Sequence, residues 1–178
     1  GSSRYVEALV APFADRIRTS SAVRCVRRLQ QGVEVTAAGV ARRFDHVVLA
    51  VHPDQALRML VDPSPVESRV LASIRTQRNE VVLHTDVSLM PERSRAWASW
   101  NYRIPAGERE PVIVTYDMNR LQGLASEPRF LVSLNATDRI DPSHVLRRFV
   151  YHHPVFDARA IEAQKWHAEL SGTRNTHY

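Results

Sequence analysis

The sequence predicts an α/β fold with α+β character, and three observations predict it. Up to residue 60, a stretch with helical periodicity precedes three short alternating stretches, one unbroken apolar run and a second helical stretch. Past Pro63 and Pro65, four runs rich in Val, Ile and aromatic residues follow one another before helical periodicity returns at Asp157. The chain has 178 residues, 44% hydrophobic and 24% charged, which is globular composition and long enough to bury a core.

The elements follow in order. Ser2 or Ser3 caps a first helix whose apolar face is Tyr5, Val6, Leu9, Val10 and Phe13, and which ends near Asp15 and Arg16. Residues 22–29 and 33–37 alternate on either side of a turn at Gly32 and read as a β-hairpin. A turn at Ala38 and Gly39 leads to a third strand at 41–44. Residues 45–51 carry the unbroken run Val47, Val48, Leu49, which is the pattern of a parallel strand buried on both faces. Pro53 and Asp54 start a helix to Leu60. A short helix is expected at 66–74, then strands at 76–86, 96–102, 112–116 and 130–134. Pro105 to Gly107 and residues 123–128 supply turns. A turn or short helix at 141–146 precedes an extended stretch at 149–154. Asp157 caps a helix expected to run to Ala168, and residues 175–178 start a last strand.

Composition excludes several function classes. Net charge is +5 with a pI near 10, yet the arginines are scattered and their doublets short (Arg27–Arg28, Arg42–Arg43, Arg147–Arg148). That pattern reads as a solvated arginine-rich surface and not as a nucleic-acid footprint. No apolar run is long enough to cross a membrane as a helix. Cys25 is the only cysteine; it fits a reducing, cytoplasmic setting and reads as a small buried apolar residue. No glycine fingerprint, phosphate loop, CxxC, HExxH or GxSxG motif occurs.

The remaining chemistry-bearing residues form weak sets. His84, His152 and His153 have no spacing that demands a metal, and no metal is expected. His84 reads as a hydrogen-bonded, half-buried histidine, and a triad drawn from Ser99, His84 and Asp86 lacks a nucleophile elbow. Trp97, Trp100, Tyr102 and Tyr116 are more informative. Trp100 and Tyr102 share a strand face, with Trp97 on the other, and one face is expected to line an apolar pocket or to pack as sheet core.

One line of sequence carries a family resemblance: Phe44-Asp-His-Val-Val-Leu-Ala-Val-His-Pro-Asp-Gln-Ala-Leu. Further segments join it: Gln77-Arg-Asn-Glu-Val-Val-Leu-His-Thr-Asp86, Ala96-Trp-Ala-Ser-Trp-Asn-Tyr102, Met118-Asn-Arg-Leu-Gln-Gly123, His153-Pro-Val-Phe-Asp157 and Asn175-Thr-His-Tyr178. As a set they resemble the flavin amine-oxidase superfamily, FAD-dependent oxidoreductases of two domains, and the likeness spans essentially the whole chain.

The resemblance implies an internal fragment. Its glycine fingerprint would precede Gly1, and a glycine-rich segment contacting the flavin would follow Tyr178. Residues 1–60 would complete the FAD-binding domain, 61–168 would form a mixed-sheet substrate domain, and 169–178 would return to the FAD domain. Val23 matches a position whose backbone contacts adenine, and Ala50 and Val51 match the turn near the cofactor. Many amine oxidases place a lysine near the flavin on the strand matching residues 78–82. Asn79 or Glu80 stands there instead, which leaves amine oxidation and desaturase-like hydride removal both open. Asn79, Trp100 and Tyr116 are the expected substrate-pocket residues, with no catalytic residue assigned. The expected partners are a small-molecule substrate and, through apolar edges such as Val47 to Leu49, other copies of the chain. Without the pyrophosphate cradle, the chain alone is expected to bind FAD weakly or not at all. A non-enzymatic ligand- or protein-binding α+β module is the alternative.

Overall fold

The computed structural model describes residues 2–104 and 111–178, so the expected turn at 105–107 lies outside the described residues. The chain forms two compact units, one of residues 2–77 with 154–178 and the other of residues 78–153.

In the first unit, α1 (Ser2–Val10) continues into a 3-10 segment, Ala11–Arg16. Next comes an antiparallel meander of β1 (Val23–Arg28), β2 (Val33–Ala37) and β3 (Val40–Phe44). Ala38 (φ 48°) and Gly39 (φ 78°) form a two-residue hairpin loop with positive φ at both positions, which matches the twist of the flanking strands. At Gly32 the constraint is tighter: φ is 77° and an added Cβ would meet the Phe44 carbonyl oxygen.

β4 (Val47–Val48) pairs in parallel with β10 (Thr176–His177), as the apolar run predicts. It is shorter than expected, and only Leu49 of the run is buried; Val48 is 69% exposed. A two-residue strand with a neighbour on one side covers neither face of Val48.

Four helices complete this unit. They are α2 (Pro53–Met59), α3 (Pro65–Ser73), α5 (Ala158–Gln164) and α6 (His167–Leu170). The single helix expected over 157–168 breaks. Lys165 and Trp166 bond to carbonyls three residues back, which tightens the turn, and Trp166 leaves helical geometry under the Arg69 guanidinium. Val26, Leu49, Leu60, Val70, Leu71 and Leu170 are among the residues of the common core. That core holds α3 and α5 with residues 2–60, and the compact units divide at 77/78 and 153/154.

Exposure departs from the sequence pattern at three further places. The apolar face of α1 is open, with Tyr5, Val6, Leu9 and Phe13 all exposed. Arg28, expected on a solvated surface, is buried, and Cys25 is only partly buried. A register irregularity between Val23 and Cys25 shifts the alternation, so Val26 and Arg28 become the inward residues of β1. The Arg28 guanidinium meets Glu67 Oε2 at 2.7 Å and Asp62 Oδ1 at 3.1 Å. Glu67 also closes a capping box with Ser64 at the start of α3 and accepts from the Tyr178 hydroxyl at 2.7 Å.

The second unit is a five-stranded sheet in the order β6-β7-β8-β5-β9. Its strands are β5 (Thr76–His84), β6 (Trp100–Arg103), β7 (Ile113–Asp117), β8 (Leu131–Leu134) and β9 (Val145–Pro154). The β5/β8, β7/β8 and β6/β7 ladders are antiparallel. The strand expected from Ala96 starts only at Trp100, because residues 94–96 form a 3-10 turn and Trp97 is held outside the ladder, its Nε1 donating to Pro91 O. α4 (Met118–Gln122) was not foreseen. Asp117 caps it and Gly123, at φ 64°, ends it, which is an ordinary pair of end residues around a five-residue helix.

Candidate functional site

Alternation sorts the sheet into two faces. One carries Val82, Ile113, Leu131 and Ser133 and is the packed face, with Val82, Leu89, Ile113, Ala136 and Ile140 forming its core. His84 belongs to this face and is fully buried, not half-buried. The backbone N–H of Asp86 donates to its Nδ1 at 3.2 Å, so Nε2 carries the proton and donates to Ser133 Oγ at 2.8 Å. Ser133 in turn bonds Thr115 Oγ1 at 2.7 Å. Burial holds the His84 pKa below the ordinary histidine value, with the Asp86 charge opposing. The hydroxyl at His84 is thus Ser133 and not Ser99, and the Asp86 carboxylate is occupied by the backbone N–H groups of Ser88 and Asp141. A fully buried serine offers a substrate no approach; this is a satisfied polar layer.

The opposite face carries the expected pocket residues. The registers align Leu83, Val132, Tyr116 and Trp100 in one row and Val81, Leu134, Val114 and Tyr102 in the next. Trp100 and Tyr116 meet edge to face with ring centroids 5.5 Å apart. Asn79 lies on the same face, four residues along β5 from the Leu83 row, about 13 Å at strand rise. It is therefore Asn79 and not Glu80 that shares the face of the aromatics. Trp100 is 66% exposed, Tyr116 is half-buried, and Asn79 is buried at 7%.

A second aromatic set was missed from sequence. On β9, Phe149 stacks on Tyr151 (5.6 Å), Tyr151 meets His153 edge-on (6.5 Å), and Arg147 lies over Phe149. Asn79 Nδ2 donates to His153 Nδ1 at 2.9 Å, which puts this alternate set on Asn79's face. The spacing Phe149-x-Tyr151-x-His153 was the available signal. The face thus has apolar rows in the middle, aromatic groups toward both edge strands, and one amide.

The other expected residues lie in the first unit. Val23 lines a cleft of about 570 Å³ with Arg16, Arg18, Val35, Arg42 and Phe44. The lining is mostly apolar and its charged members are Asp15, Arg16, Arg18 and Arg42. Ala50 and Val51 are exposed and lie just past Leu49, between β4 and α2. No group of three or more His, Cys, Asp or Glu that could hold a metal occurs among the described residues. No helix among them is long and apolar enough to cross a membrane.

Comparison with known proteins gives a consistent picture. The sequence profile of flavin containing amine oxidoreductases matches residues 1–130. No curated protein matches the chain. Among solved structures, a putrescine oxidase bound to putrescine superposes with a TM-score of 0.56 at 14% identity, covering 99% of this chain and 45% of the other. A variant of putrescine oxidase made to redesign cofactor binding gives 0.59 at 12%, covering 95% and 44%. A CLA-producing fatty acid isomerase from P. acnes gives 0.55 at 14%, covering 89% and 41%. The chain therefore spans less than half the length of these structures, and at such identities the likeness concerns the fold.

Proposed function

This chain belongs to the family of flavin-containing amine oxidoreductases, and on that premise we propose that it supplies a cofactor-side surface and a substrate-side sheet to an FAD-dependent oxidoreductase that removes hydride from an organic substrate. Residues 1–60 and 169–178 form the cofactor side in this reading, and the sheet within 61–168 forms the substrate side. The observation that carries it is the sheet face on which Asn79, Trp100 and Tyr116 stand together with Phe149, Tyr151 and His153.

The residues of the first unit fit the nucleotide end of FAD. The cleft at Val23 has apolar walls (Val23, Val35, Phe44) for a planar base, and Arg16, Arg18 and Arg42 for phosphate charge. Ala50 and Val51 present exposed backbone at the end of a parallel strand, where α/β sheets place ligands. When bound, FAD supplies the hydride acceptor, and the protein's part is positioning and electrostatics.

On the substrate side, Trp100, Tyr116, Phe149 and Tyr151 bring apolar area that excludes water from a bound organic molecule. Asn79 holds its amide in one orientation by donating to His153 Nδ1, so a neutral His153 carries its proton on Nε2. An amide both donates and accepts, and so orients a polar substrate group or a water without adding charge to the face.

The test uses the intact protein that contains this chain, reconstituted with FAD. Asn79→Ala is expected to slow anaerobic flavin reduction, followed by stopped flow, at least tenfold while FAD affinity changes less than threefold. An unchanged reduction rate beside a lowered melting temperature would assign Asn79 to the sheet's packing and remove it from the site. Absence of any flavin binding by the intact protein would favour a non-enzymatic module.

A further inference from the structure

His46 and His177 stand side by side where β4 and β10 pair. Their rings are 5.4 Å apart between centroids and inclined by 47°, and His177 Nε2 lies 3.4 Å from His46 Nδ1. A neutral pair held in this way points one ring's donor at the other ring's acceptor. The same two nitrogens, both unprotonated, offer two lone pairs to one ion.

The separation also suits a tetrahedral ion. Zinc–imidazole bonds of 2.0–2.1 Å at a tetrahedral angle put two nitrogens about 3.3–3.4 Å apart. A square-planar ion with bonds of similar length needs its adjacent nitrogens about 2.8–3.0 Å apart. The observed 3.4 Å is the tetrahedral edge. Each ring has to turn by roughly 35° from the line joining the nitrogens for its lone pair to meet the ion. His46 is exposed, so its ring is free to make that turn.

We propose that His46 and His177 form a two-imidazole site for a tetrahedral divalent metal of the zinc class, completed by water or an exogenous ligand. Its consequence follows from the topology. The β4/β10 ladder has two residue pairs, continued by the Leu49 N–H donating to His177 O at 2.8 Å. An ion bound across it staples the last strand to the strand that leads into Ala50 and Val51. Two protein ligands make a weaker site than the three or four of catalytic and structural zinc. Imidazole must be unprotonated to ligate, so affinity falls as pH is lowered.

The experiment titrates this chain with zinc chloride by calorimetry at pH 7.5 and repeats it with His46→Ala, His177→Ala and the double variant His152→Ala/His153→Ala. Circular dichroism checks that each variant folds. The site predicts one zinc per chain, affinity reduced at least tenfold in both His46→Ala and His177→Ala, and affinity unchanged in the double variant. It also predicts a zinc-dependent rise in melting temperature that His46→Ala abolishes. Absence of saturable zinc binding overturns the proposal. So does binding that survives His46→Ala or is lost in the double variant, since the ion would then sit elsewhere.

Discussion

Replacing Glu67 by Gln keeps the side chain's shape and removes its charge, which isolates what that charge does. The carboxylate is 1% exposed and serves three groups: Arg28 Nη2 at 2.7 Å, the Ser64 backbone N–H at 2.6 Å and the Tyr178 hydroxyl at 2.7 Å. Breaking a buried pair by removing one partner costs about 3–5 kcal/mol, because the other charge stays buried and unpaired. Two features lower the figure here. Asp62 remains against Arg28 Nε at 3.1 Å, and the Gln carbonyl still accepts one of the bonds. The expected loss is therefore roughly 2–3 kcal/mol, or about 4–12 °C in Tm for a chain of this size.

The pH dependence has a defined sign. Burial pushes the Glu67 carboxyl up, but the Ser64 backbone N–H, the Tyr178 hydroxyl and the Arg28 charge outweigh it and hold the pKa below the ordinary glutamate value. A folded-state pKa below the unfolded one stabilises above the unfolded value, and that stability is lost as pH falls through the folded value. The Glu67→Gln penalty should thus be full at pH 7 and shrink below about pH 4.3. Trp166 packs against the core that contains α3, so a Trp97→Phe/Trp100→Phe background makes its fluorescence the reporter for this unit. Urea titrations at pH 7 and pH 4 give the two values. A penalty under about 0.5 kcal/mol at pH 7, or an equal penalty at both pH values, would refute the reasoning.

Two further outcomes follow from local geometry. Gly32 and Gly39 share nearly the same φ, 77° and 78°, but an added Cβ meets Phe44 O at 2.4 Å in the first and nothing within 4 Å in the second. Gly39→Ala should cost only the left-handed penalty of about 1–2 kcal/mol, and Gly32→Ala clearly more; equal losses in urea titrations would mean the hairpin simply shifts to make room. Burial keeps His84 neutral in the folded state, so the unfolded chain takes up a proton there first, and stability falls as pH drops below about 6.5. His84→Gln should flatten that part of the stability profile between pH 7 and 5, whereas an unchanged slope would show that His84 is not its source.

Much of this chain was legible because the signals are local. Alternation about Gly32, the Ala38–Gly39 turn, Pro53 at the start of α2 and Asp157 as a cap need only neighbours in sequence. The family resemblance rests on the same kind of signal, whereas Asn79, Trp100 and Tyr116 stand on three strands and share a face because the registers of the ladders align them.

What tertiary structure decided is burial and partnership across the chain. Val48 and the apolar face of α1 look like core from composition and are exposed, because no described element packs on them. Arg28 looks like surface and is buried, because Glu67, 39 residues later, neutralises it. His84 finds Ser133, and Asn79 finds His153, over 49 and 74 residues. Periodicity states which residues share a side of a strand or helix. Whether that side meets solvent or another element depends on contacts between distant segments, and those carry no signature in local sequence.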